Sequence, residues 1–205
     1  MERRLSVRDG LLPLPPAAPQ FPPSWQRRLC AALLTRCGWR VTGSLPDCAQ
    51  LVVIAAPHSS WWDGAWGLLC KVALGLDLAF MGKQELFRGP LGWALRRMGG
   101  IPIERSEAHG VVDQMIARFR DKPQLWLGIA PEGTRRRVTK WRSGFWQIAR
   151  AADVPILPVA FDYPTKTITI GPVFAPSADL AADLVALRAY YAPFRGKHRG
   201  VDGAV

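Results

Sequence analysis

The sequence predicts an α/β domain: a mostly parallel central sheet with helices on both faces. Three observations lead there. Apolar runs rich in β-branched residues alternate along the chain with stretches of helical periodicity, as in successive βα units. The runs are apolar in the manner of parallel strands, which are covered on both faces. With 205 residues, 49% of them hydrophobic and 21% charged, the chain suits one globular domain with a sizeable core.

The elements follow in order. Residues 1–23, MERRLSVRDGLLPLPPAAPQFPP, read as a flexible or extended Pro-rich arm. This arm has basic residues but no apolar h-region, so it is not a secretory signal. From Ser24 to Cys37, Trp25, Leu29 and Leu33 fall four apart, with Cys30, Leu34 and Cys37 alongside and Arg27, Arg28 and Thr35 opposite. That is an amphipathic helix with a basic polar face. It either packs on the core or lies on anionic lipid. Strands are expected over Leu51–Ala56, Ile101–Glu104, Leu125–Ala130, Ile156–Phe161 and Thr167–Ile170. Helices are expected over Trp61–Gly75, Phe87–Met98, Val111–Arg120, Gly144–Ala152 and Ala178–Tyr191. The clearest carries Val111, Val112, Met115, Ile116 and Phe119 at spacings of three and four. The domain is expected to run from 24 to 195, with a basic flexible tail over 196–205.

Composition narrows the partners. The net charge is +11 and the pI about 10.3, which calls for an anionic partner: nucleic acid, an anionic membrane surface or a phosphorylated ligand. Nine tryptophans favour lipid, because tryptophan prefers the bilayer interface. No window reaches the roughly 18 uncharged apolar residues of a spanning helix. The best candidate, Gly64–Phe80, carries Lys71 and Asp77. The cysteines, Cys30, Cys37, Cys48 and Cys70, have no C-x-x-C spacing, so a zinc site or redox pair is not expected. Cys30 and Cys37 on one helix lie about 10 Å apart, too far to bridge. Reduced thiols in a cytosolic compartment follow.

The stretch LVVIAAPHSSWWDGAWGLL, Leu51–Leu69, carries the chemistry. It places His58 at a strand end and Asp63 five residues on. Within one helix such residues would not face each other. A strand ending at Pro57, a turn at His58 and a helix starting near Ser60 let Asp63 reach back to the imidazole. A carboxylate on one ring nitrogen fixes the tautomer and raises the basicity of the other, so His58 can take a proton from a hydroxyl. Ser60-x-x-Asp63 also resembles a capping box, which by itself accounts for the aspartate. The same logic recurs elsewhere. LWLGIAPEGTRRR ends a strand in Glu132, Gly133, Thr134 and Arg135; GGIPIERS places Glu104 and Arg105 after another; VPILPVAFD feeds a further strand. In open α/β sheets, ligands bind beyond the carboxyl ends of the strands, so these clusters converge.

The blocks His58-x4-Asp63, GGIPIERS, PEGTR and VPILPV, in this order over about Leu51–Val159, resemble the glycerolipid acyltransferase family, typified by lysophosphatidate acyltransferases. The resemblance implies that family's fold and transfer of a fatty acyl group from acyl-CoA or acyl-carrier protein to a lysolipid hydroxyl. The expected acceptor is 1-acylglycerol 3-phosphate. It implies His58 as general base, Asp63 as its orienting partner, Lys83 and Arg105 as phosphate ligands, and Glu132, Gly133, Thr134 and Arg135 as shaping the acceptor site. Pro57 stands where many lysophosphatidate enzymes have asparagine, and Ile-Pro-Ile-Glu-Arg where they commonly have Phe-Ile-Asp-Arg. A lysolipid without that phosphate, such as a lyso-ornithine lipid, therefore stays open as acceptor, as does a non-catalytic membrane-surface binding protein.

The chemistry agrees with the residue types. A thioester is already activated, so neither metal nor cofactor is expected beyond the acyl donor. Ser59 and Ser60 stand in no G-x-S-x-G elbow, so a serine nucleophile is not indicated. Arg135, Arg136, Arg137, Lys140 and Arg142 are either a solvated face or a landing patch for anionic headgroups. No nucleic-acid module appears. The expected location is peripheral, on the cytoplasmic face of the cell membrane.

Overall fold

The computed structural model describes residues 12–104 and 108–201. Among them seven strands form one sheet: β1 (Arg40–Thr42), β2 (Gln50–Ala56), β3 (Leu78–Lys83), β4 (Gly100–Ile103), β5 (Leu125–Ile129), β6 (Ile156–Asp162) and β7 (Thr167–Ile170), in the order β1-β7-β6-β2-β5-β3-β4. The helices are α1 (Trp25–Arg36), α2 (Trp61–Leu74), α3 (Gly89–Arg97), α4 (Ala108–Asp121), α5 (Gly144–Ala151) and α6 (Leu180–Tyr191). Pairing is parallel from β6 through β2, β5 and β3 to β4; β7 pairs antiparallel with β6, and β1 pairs parallel with β7, so these two run opposite to the other five. The expected mostly parallel sheet is therefore present.

The apolar continuity of β2 has a simple cause. Val52, Ile54 and Ala56 point into a core formed with α4, α5 and α6 through Met115, Phe119, Phe145, Ile148 and Leu187. Leu51 and Val53 point the other way, into a core with Leu34 of α1 and Ala73 and Leu74 of α2. Successive side chains alternate between the two faces, and both faces are dry.

Several boundaries differ from expectation for local reasons. Asp179 caps α6 by accepting from Ala181 and Ala182 N–H, so that helix starts two residues after Ala178. Gln84–Phe87 forms a 3₁₀ turn and Pro90 lies in the first turn of α3, which delays the helix expected from Phe87. Two strands, β1 and β3, were not expected. β3 is an interior strand of the sheet, lying between β5 and the edge strand β4. Gly75, in the left-handed region at φ +76°, closes α2 and frees the chain to enter it.

The two ends of the described chain are attached to the domain. In the Pro-rich arm, Ala18 is buried, Phe21 N–H donates to Gly75 O at 2.8 Å and Asp77 N–H to Pro19 O at 2.9 Å. At the other end, 196–201 packs over the turn that follows β2: His198 N–H donates to Ser59 Oγ at 3.2 Å and Arg199 to His58 O at 3.3 Å. In α1, Leu34 is buried, whereas Trp25, Leu29 and Leu33 are 69%, 48% and 42% exposed. The Arg27 guanidinium donates to Leu74 O at 2.7 Å. Arg27 thus serves the C-terminus of α2 and does not belong to an outward basic face.

Candidate active site

β2 ends at Ala56, His58 sits on the following turn, and Ser60 caps α2. The capping box and the histidine pairing are both realised. Asp63 Oδ2 accepts from Ser59 N–H at 2.6 Å and Ser60 N–H at 2.7 Å, and lies 3.5 Å from His58 Nδ1. The same carboxylate therefore shapes the turn and faces the imidazole. Asp63 is 2% exposed, while the His58 side chain remains 21% exposed. The carboxylate is shielded and the imidazole is partly open to solvent.

The loop after β5 braces this turn. Glu132 is buried; its Oε1 accepts His58 N–H at 2.6 Å and its Oε2 accepts from Arg199 at 3.1 Å. Burial raises the Glu132 pKa, opposed by the hydrogen bonds from His58 and Arg199. Arg199 also donates to the carbonyls of Arg135, Arg136 and His58. Gly133 holds φ +64°, and a β-carbon there would come within 2.7 Å of the Arg142 side chain. Thr134 Oγ1 accepts Arg136 N–H at 3.2 Å. The Arg135 guanidinium stacks on Trp61, 3.4 Å from its ring centre.

Lys83 ends β3. Phe80 pairs with Gly128, and Gly128 with Val53, so Lys83 lies level with Ala56, two strands away. That is about 10 Å at ordinary strand spacing. Its ammonium pairs with exposed Glu85 at 2.9 Å. Arg105 lies outside the described residues. His58, Asp63, Lys83 and the Glu132–Arg135 block thus gather at one end of the sheet.

Three contributors were not singled out from sequence. Tyr163, directly after β6, donates its hydroxyl to Asp63 Oδ1 at 2.5 Å. Arg199 and His198 come from the C-terminal segment, the latter donating its N–H to Ser59 Oγ at 3.2 Å. The signal for Tyr163 was its place one residue beyond the VPILPVAFD strand; for Arg199 and His198 there was none.

A family model described as Acyltransferase matches residues 40–162. The 1-acyl-sn-glycerol-3-phosphate acyltransferase of Streptococcus pneumoniae is 28% identical over 124 residues, covering 60% of this chain and 46% of that protein. The Escherichia coli protein of the same name is 30% identical over 97 residues, covering 44% of this chain and 39% of that one. The chain spans less than half the length of these curated relatives. The solved structure of 1-acyl-sn-glycerophosphate (LPA) acyltransferase, PlsC, from Thermotoga maritima has the same fold. Its TM-score is 0.57 at 20% identity, covering 80% of this chain and 73% of that one.

Proposed function

The chain belongs to the acyltransferase family, and from that premise we propose that it transfers a fatty acyl group from acyl-CoA or acyl-carrier protein to the hydroxyl of 1-acylglycerol 3-phosphate. The observation that carries this reading is the outward-facing imidazole of His58 backed by buried Asp63 at 3.5 Å. In the step proposed, His58 Nε2 takes the hydroxyl proton as the oxygen attacks the thioester carbonyl. The tetrahedral intermediate then collapses, an ester forms, and the thiolate leaves with a proton returned by the imidazolium.

Lys83 and Arg105 are assigned to the acceptor phosphate. The pair Lys83–Glu85 is exposed on both sides and so is weak, which lets a phosphate displace it. Gly133, Thr134 and Arg135 shape the acceptor side, and Glu132 braces it from within. The protein is assigned to the cytoplasmic face of the membrane as a peripheral enzyme, with exposed Trp25, Leu29 and Leu33 as its apolar contact. Among the described residues no helix is long and apolar enough to cross a membrane.

The test is radiolabelled acyl transfer from oleoyl-CoA and from oleoyl-acyl-carrier protein to a panel of lysolipids. Product from 1-acylglycerol 3-phosphate in preference to lyso-ornithine lipid is expected. Transfer only to acceptors lacking the phosphate would move the assignment to those lipids, and no transfer to any would leave a binding protein.

A further inference from the structure

Behind the His58–Asp63 pair stands a hydroxyl to which acyl transfer assigns no part. Tyr163 leaves the end of β6 and sends its phenol to Asp63 Oδ1 at 2.5 Å. The two oxygens of Asp63 thus have separate duties. Oδ2 takes Ser59 and Ser60 N–H and faces His58 Nδ1; Oδ1 takes the phenol. We propose that Tyr163 is a positioning residue that fixes the rotation and tempers the charge of Asp63, and through it sets the basicity of His58. Its catalytic consequence rests on the acyltransferase reading; the effect on the imidazole does not.

The physical argument has two parts. An aspartate carboxylate turns about its Cβ–Cγ bond in a broad torsional well, so the bonds to Oδ2, all on one edge of the group, leave some rotational freedom. A phenol bonded to Oδ1 removes that freedom. A short O–H···O⁻ bond also draws charge from the carboxylate, leaving less to stabilise an imidazolium. The phenol is itself well held. Its ring meets Trp39 edge-on at 5.0 Å, Trp39 is 3% exposed and packs on Trp66 at 5.1 Å, and Tyr163 N–H donates to Arg195 O at 2.8 Å. Burial and the adjacent carboxylate raise its pKa, so the phenol stays protonated and donates.

Other charged groups face this turn: Glu132 and Arg135 from the loop after β5, and Lys197, His198 and Arg199 from the C-terminal segment. Tyr163→Phe leaves every one of them in place and keeps the ring on Trp39. A change in His58 titration is therefore assignable to the lost hydroxyl.

The experiment follows the imidazole signals of the full chain by NMR across pH. The chain has three histidines, and His58 is identified by the signal missing in His58→Gln. Tyr163→Phe should raise the His58 pKa by about half a unit to one unit. The acid limb of kcat/KM should move up with it, with kcat lower by about tenfold and both KM values unchanged. In the Asp63→Asn background the same substitution should no longer move His58. An unmoved titration in the Tyr163→Phe protein, or an equal shift with Asp63→Asn, would overturn the proposal. Absence of acyl transfer by the unaltered protein would remove the acyltransferase reading alone, since the titration reads the coupling without turnover.

Discussion

Arg199 lies 3.1 Å from Glu132 Oε2 and ties the C-terminal segment to the loop that carries His58 on its other oxygen. The Glu132 carboxylate is buried, so removing the guanidinium leaves a charge without its counter-ion. Arg199→Ala should cost about 2 kcal/mol of stability and lower turnover by loosening the His58 turn. Glu132→Gln added to Arg199→Ala should cost little more, because it removes the uncompensated charge. Urea unfolding of the two single variants and the double checks this; simple additivity would contradict it.

Asp63 has two duties that one substitution separates. Asparagine keeps an oxygen for the Ser59 and Ser60 N–H groups but carries no charge. Asp63→Asn should hold stability within about 1 kcal/mol yet lower kcat by on the order of 10³-fold. A variant with near-normal turnover would leave Asp63 as a helix cap only.

Lys71 supplies a pH dependence. It is 3% exposed in α2 and donates to the carbonyls of Leu78 and Met98. Burial holds its pKa down to about 8 from an ordinary 10.5, partly opposed by Asp77. Between those values the unfolded chain binds the proton that the folded one has released. Stability should therefore rise as pH climbs from about 8 to 10.5, by up to about 3 kcal/mol. Thermal unfolding against Lys71→Met isolates this slope. Parallel pH profiles for the two proteins would refute it.

Membrane contact has its own test. Trp25→Ala, Leu29→Ala and Leu33→Ala together touch an exposed stripe, so stability should change little. Binding to anionic vesicles should lose the part that persists at high salt and keep the salt-sensitive part, worth about 1 kcal/mol per basic residue near the surface. Unfolding of the triple variant would place the stripe in the core.

What was legible in the sequence was mostly what is local. His58 and Asp63 meet across one strand-to-helix turn, and Ser60 announces that turn by its capping pattern. The apolar runs of β2, β5 and β6 reveal their burial on both faces. β3 was hidden because LAFMGK follows Gly75 closely and mixes glycine with apolar residues; its pairing with β5 is a long-range fact. Tyr163 reaches Asp63 across 100 residues and Arg199 reaches Glu132 across 67, and no local spacing encodes either contact. The basic C-terminal residues read as a flexible tail because the buried carboxylate that takes Arg199 is far away in the chain.

Turnover by His58→Ala is the most direct test of the central claim. Glu132 grips the backbone N–H of residue 58, which alanine retains, so the loop and the fold should survive the substitution. Acyl transfer to 1-acylglycerol 3-phosphate should fall by on the order of 10³-fold or more with the unfolding midpoint nearly unchanged. Transfer at a rate close to that of the unaltered protein would contradict His58 as the general base.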